Sequence, residues 1–217
     1  MVRSVSLTFK TEKKFKNRDA EKLRGYFGNL YKEEDLFHNH DNEGKSIYRM
    51  PLIQYRVVDG DLTVIGYQQG VDIVTDKFLK TNEIIIDNEK YDNFETQMAM
   101  NNLEFYVSDE LHKYHFETLW LPINQNNYID YINKKLDLDI TLRNNILTNF
   151  KGLGIHADKR IMTKGEFREK SVFIKDIEHF GFTGGFVTNA VLPDGMTLGR
   201  KRSIGFGRVK RIINQHK

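Results

Sequence analysis

The chain has 217 residues, 39% hydrophobic and 29% charged, with a formal net charge of +3 and no cysteine. That balance excludes a disordered chain, the missing cysteines exclude a disulfide framework or thiolate metal site, and no apolar run approaches the ~20 residues of a membrane span. The opening "MVRSVSLTFK" sets Val5, Leu7 and Phe9 against Ser4, Ser6 and Thr8. It reads as a half-buried strand rather than a signal peptide, so a cytoplasmic location with no membrane partner is expected.

In "DAEKLRGYFGNLYKEE" the apolar residues recur at 20, 23, 27, 30 and 31, the spacing of a helix, with Asp19 expected as its N-cap. The polar stretch "LFHNHDNEG" follows. "SIYRMPLIQYRVV", "DG" and "DLTVIGYQ" then read as a strand, a tight turn and a returning strand. "GVDIVTDKFLK" is a short amphipathic helix and "EIIID" the closing strand of a β-α-β-β-α-β unit, the ferredoxin-like arrangement.

A partial echo comes after it. "YHFETLWLPIN" predicts a strand leading into the helix "QNNYIDYINKKL", and "TLRNNILTNFKGLG" a second helix ended by glycine. "KSVFIKDIEHFGFTGGFVTNAVLP" predicts a hairpin broken by Gly181, and "GRVKRII" a last strand. The expected fold is therefore α+β, with tandem ferredoxin-like domains over 1–95 and 96–217, the second partly degenerate and carrying a C-terminal glycine-rich loop.

Charge is unevenly placed. From Gly195 to Lys217 there are seven Lys or Arg and no acid, and Lys10, Lys13, Lys14, Lys16 and Arg18 form a second cluster. Such polarity points to a polyanionic partner, with ordinary solvated charge a competing reading for the N-terminal cluster and a weaker one for the C-terminal cluster. "DGMTLGRKRSIGFGRVKRI" carries four glycines within thirteen residues around Arg200, Lys201 and Arg202. Exposed amides and basic side chains suit a phosphate backbone, which makes Gly199, Arg200, Lys201, Arg202, Gly205, Gly207 and Arg208 the candidate residues for binding a polyanion. The loop is expected to be exposed, so that alanine at all three central basic positions weakens binding and spares the fold. Phe206 is expected to pin the loop to the sheet, and "KGLG" beside His156 to be a helix cap. No Gly-Lys-Ser/Thr follows at the spacing nucleotide hydrolysis requires.

The pieces "LRGYFGNLY", "LFHNH", "YRMPLIQYRVVDG", "YHFETLWLPINQNNY", "KGLG" and "LGRKRSIGFGRVKRI" give the chain, in order, a resemblance to the CRISPR-associated repeat-processing endoribonucleases. These belong to the repeat-associated RNA-binding superfamily with tandem ferredoxin-like domains. The resemblance implies metal-independent cleavage of CRISPR precursor transcripts within each repeat. The 2′-hydroxyl attacks the adjacent phosphate, leaving a 2′,3′-cyclic phosphate and a 5′-hydroxyl. It places the catalytic histidine after the first helix, where His38 and His40 stand, and adds Tyr31 and Lys45 as further catalytic candidates. CRISPR repeat RNA is the partner so implied, with other effector subunits and a second copy of the chain as open protein partners, and no cofactor.

Two imidazoles two residues apart can hold a metal, exchange protons or sit in a solvated turn. In an extended loop, residues i and i+2 point the same way, so His38 and His40 can address one phosphate as acid and base near neutral pH. A histidine-x-histidine-x-aspartate metal site needs an acid at position 42, which is Asn42, while Asp41 comes one residue early. A third ligand would have to be His112, His115, His156 or His179, none in a ligand spacing. The tripeptide also lacks the spread of residues that defines the nuclease motif of the same letters. The leading reading is an endoribonuclease. The alternative is a non-catalytic RNA-binding subunit of an effector complex with the same fold.

Overall fold

The computed structural model describes residues 1–31, 50–174 and 177–213. They divide into two compact units. One is Met1–Leu103 with Ser203–Gly205, and the other Glu104–Arg202 with Phe206–Lys217.

In the first unit β1 (Val2–Lys10) leads to α1 (Asp19–Leu30), then to β2 (Ile53–Val58) and β3 (Asp61–Tyr67). Asp59 and Gly60 both have positive φ, 52° and 84°, and Val58 pairs with Asp61. That is the two-residue primed turn that Asp-Gly favours. α2 (Gln69–Asp76) and a 3-10 turn at Phe78–Lys80 follow, then β4 (Ile84–Ile86), β5 (Glu89–Tyr91) and β6 (Glu95–Leu103). The sheet order is β2-β3-β1-β6, with every pairing antiparallel. This is the ferredoxin-like order, but its fourth strand is β6. "EIIID" does form a strand, yet among the described residues it pairs only with β5, in a separate hairpin. Because β6 pairs with β1 from Val2↔Leu103 to Lys10↔Glu95, the divide expected near residue 95 falls after Leu103.

Val5, Leu7 and Phe9 of β1 face Leu23 and Phe27 of α1 and Val71, Val74 and Phe78 beyond β3 in one buried cluster. Phe27 stacks on Phe78 with ring centroids 4.1 Å apart. α1 starts differently from the expected cap. Arg18 holds the cap position without a side-chain bond. Asp19, the first helical residue, reaches back to accept from the Lys16 amide at 2.9 Å and from Lys22 Nζ at 2.8 Å.

The second unit runs β7 (Tyr106–Phe116), α3 (Tyr128–Ile132), α4 (Leu138–Gly152), β8 (Thr163–Ile174), β9 (Ile177–Val191) and β10 (Val209–Arg211). Its sheet order, β10-β7-β9-β8, is again antiparallel throughout. The topology repeats the first unit's with one element replaced. Where the second helix belongs, 192–208 contains only a 3-10 turn at Arg202–Ile204.

α4 is capped at its start by Asp137, whose carboxylate accepts from the Ile140 amide. At its end Gly154 has φ 70°. Its amide bonds to Lys151 O at 3.2 Å and that of Ile155 to Phe150 O at 2.9 Å. Those two bonds are a Schellman cap, so "KGLG" is the helix terminator its spelling predicts. Gly181 does not break the long hairpin, because the ladder continues from Thr163↔Thr188 to Ile174↔Ile177 through Lys170↔Gly181. Its missing side chain instead makes room for Leu119, which a Cβ would meet at 2.5 Å. Trp120, Phe116, Phe182, Ile146 and Phe150 centre this unit's core.

Candidate functional site

His38, His40 and Lys45 lie outside the described residues. Tyr31 does not. It follows α1 directly, and its amide donates to Phe27 O at 3.0 Å. Its ring stacks on Phe78 at 5.5 Å and Phe27 at 6.3 Å, with Lys77 Nζ 5.5 Å above the ring centroid. Its hydroxyl donates to Lys77 O at 3.2 Å. The residue that introduces the histidine stretch is therefore locked by core aromatics.

The glycine-rich loop is not the exposed hairpin its composition suggests. Gly199, Gly205 and Gly207 all have positive φ, 84°, 86° and 67°. The loop closes on itself through Leu198 N to Gly207 O and on β7's exit through Gly207 N to Leu119 O, both at 2.9 Å. Arg200 donates from its amide to Leu121 O at 2.9 Å and from its guanidinium to Ile123 O at 2.8 Å. Arg202 is only 7% exposed, and its Nη1 bonds Asn149 Oδ1 at 2.5 Å. Exposure is thus the wrong expectation for Arg202. Truncating it removes an internal hydrogen bond as well as a charge. Lys201 is half-buried with φ 53°. Arg208, also half-buried, forms an ion pair with Glu117 at 2.9 Å, while its amide bonds Thr118 Oγ1. Phe206, half-buried, donates its amide to Lys201 O at 3.4 Å.

Two lysines of the N-terminal basic cluster are neutralised within their own unit. Lys13 pairs with Glu89 and also bonds Tyr91, which together hold its ammonium above the usual lysine range. Lys14 pairs with Asp61. The solvated-charge reading holds for these two lysines.

Three residues have surroundings that the sequence does not disclose. Asn149 of α4 is fully buried, and its Nδ2 donates to Thr197 O at 2.9 Å. His112 of β7 is buried between Arg211, whose guanidinium donates to Nδ1 at 2.7 Å, and Ser108, 2.9 Å from Nε2. An arginine donor requires an unprotonated Nδ1, so the ring is neutral. Burial and the Arg211 charge hold it below the usual histidine range. With both nitrogens engaged, His112 is not placed to complete a metal site. His179 of β9 is also lowered, first by burial and then by the charges of Arg200 and Lys201. Among the described residues no cluster of three or more His, Asp or Glu could hold a metal ion, and no helix is long and apolar enough to cross a membrane.

Comparison with known families matches residues 1–104 to the Cas6b N-terminal domain and residues 106–212 to the Cas6b C-terminal domain. The chain belongs to the Cas6b family. Both matches follow the two units seen in the structure, and the Cas6b C-terminal match contains the whole glycine-rich loop. A crystal structure of Cas6b superposes with a TM-score of 0.84 at 29% identity, covering 98% of this chain and 100% of that one. A second, described as a CRISPR RNA processing endoribonuclease Cas6b, gives 0.71 at 27% identity with the same coverage. An uncharacterized protein of Methanocaldococcus jannaschii is 33% identical over 117 residues, 50% of this chain and 78% of that protein.

Proposed function

We propose that this Cas6b chain is a metal-independent endoribonuclease that cleaves CRISPR precursor transcripts within each repeat, in the cytoplasm. The carrying observation is that both Cas6b domain models match in order over nearly the whole chain. The likeness to a processing endoribonuclease at 27% identity over 98% of the chain supports the same reading.

The reaction is an in-line transesterification. The 2′-hydroxyl loses its proton to a base as its oxygen bonds the phosphorus. The P–O5′ bond breaks, and an acid gives the leaving oxygen its proton. His38 and His40 take these two roles, since an imidazole can give or accept a proton near neutral pH. Lys45 balances charge on the phosphate, and Tyr31, fixed by its ring stack, orients a partner through its hydroxyl. The RNA backbone meets Arg200, Lys201 and Arg208 across the loop, where the backbone of Gly199, Gly205 and Gly207 permits close approach.

Purified protein is expected to cut cognate repeat RNA at an undiminished rate in excess EDTA. Loss of activity in chelator, restored by a divalent cation, would overturn the metal-independent reading. Binding without cutting would instead favour a non-catalytic subunit.

The loop makes its own prediction. Replacing Arg200 and Lys201 together by alanine should weaken repeat binding. It should also lower the slope of log affinity against log salt by about 0.7 for each phosphate of a single-stranded RNA that is no longer neutralised. An unchanged slope, measured by filter binding from low to high salt, means that the loop does not meet the backbone.

A further inference from the structure

One buried side chain engages the loop twice. Asn149 lies on the core face of α4 with Leu142, Ile146 and Phe150. Its Nδ2 donates to Thr197 O at 2.9 Å, and its Oδ1 accepts from Arg202 Nη1 at 2.5 Å. Thr197 and Arg202 bracket the segment 198–201, so a single amide clamps both ends of the arch that carries Arg200 and Lys201. The arch is further set by Gly199, which bridges Leu121, and by the two bonds of Arg200 to Leu121 O and Ile123 O. A residue that merely filled the core here would be aliphatic, like its neighbours one turn away. An asparagine at a fully buried position is costly unless both ends of its amide are satisfied, and here the loop satisfies both.

We propose that Asn149 is a positioning residue for the RNA-binding loop. By clamping Thr197 and Arg202 it fixes the register in which Arg200 and Lys201 meet the RNA, and Arg202 is the loop's inner anchor rather than a phosphate ligand. The proposal rests on the reading that the loop binds repeat RNA. It divides the basic triplet into two outer RNA-facing residues and one internal tie.

The test uses the full chain and cognate repeat RNA. Asn149→Ala should raise the dissociation constant at least tenfold and reduce the salt slope by about 0.7 to 1.4, the share of one or two phosphates on a single strand. The cleavage rate at saturating RNA should stay within about threefold. Asn189→Ala is the control. Asn189 is an equally buried asparagine (3% exposed) that bonds the Met162 amide and Arg160 O, away from the loop. Its loss should lower thermal stability comparably and leave affinity and salt slope unchanged. Arg202→Met breaks the clamp from the other end and should reproduce the Asn149→Ala binding defect. The double variant should bind no worse than the weaker single one. If Asn149→Ala does not fold, Arg202→Met, which leaves the Thr197 bond in place, decides the question. A wild-type affinity and slope in the folded variant, or an equal defect in Asn189→Ala, overturns the proposal. If wild-type protein fails to bind the repeat, or the Arg200/Lys201 double variant binds normally, the parent reading fails instead.

Discussion

His40→Ala is expected to abolish cleavage of repeat RNA while leaving its affinity within about threefold. The imidazole moves protons and does not hold the RNA, so its loss falls on the chemical step. Removing a general acid or base typically costs ~10²–10⁴-fold. His38→Ala should fall in that range, or lose less if His38 only orients its neighbour. His40 ranks first because in the sequence it comes nearer the following turn and strand, which should fix its position, whereas His38 comes closer to the end of the first helix. A repeat carrying a single 2′-deoxy sugar before the cut should bind and resist cleavage, because the nucleophile is gone. If imidazoles titrate in the rate-limiting step, the single-turnover rate should bend between about pH 5.5 and 8. Full activity in a His38/His40 double alanine variant, or efficient cutting of the deoxy substrate, would refute the mechanism and leave an RNA-binding fold.

What the sequence discloses follows from where hydrophobic contrast exists. β1 alternates cleanly because one face packs on α1 and α2, and the Asp59-Gly60 turn announces the β2–β3 hairpin by backbone chemistry alone. β6 gives no such sign of being the fourth sheet strand, because "ETQMAMNNL" is exposed along nearly its whole length. A strand without a buried face has no period to read. "EIIID" has the opposite fault. Its run of β-branched residues correctly predicts a strand, but composition cannot name a strand's partner. The missing helix of the second unit is legible as degeneracy, since glycines and basic residues cannot make an amphipathic stripe. Arg202 misleads for a related reason. An arginine among glycines looks solvated, and the asparagine that buries it lies 53 residues away in sequence. The histidine pair is readable as chemistry but not as a particular reaction. Spacing alone leaves metal, proton transfer and a plain turn open, and only the resemblance of six separate pieces chooses among them.

Gly207→Ala is expected to unfold the loop's framework, whereas Gly154→Ala, at nearly the same backbone angle, should be mild. Both residues have left-handed φ, 67° and 70°, which costs an alanine about 1–2 kcal/mol. Their surroundings differ. A Cβ at Gly154 meets nothing within 4 Å, whereas one at Gly207 would lie 1.9 Å from Leu198 O, a backbone atom. Leu198 cannot simply move aside, because its amide donates to Gly207 O at 2.9 Å while the Gly207 amide is tied to Leu119 O. Relieving the clash breaks at least one of these bonds and displaces the segment that precedes β10. The combined cost is of order 3–5 kcal/mol, adding overpacking and a broken backbone bond to the dihedral strain. At about 4–8 °C per kcal/mol for a unit of about one hundred residues, that lowers the thermal midpoint by at least about 12 °C, against roughly 4–16 °C for the dihedral strain alone in Gly154→Ala. Repeat affinity should collapse with Gly207→Ala and survive Gly154→Ala, since α4 keeps its position when its cap is strained. Scanning calorimetry and repeat binding on the two variants check both halves of the claim. Equal midpoints would show that the close approach of Gly207 to Leu198 does not hold the loop in shape.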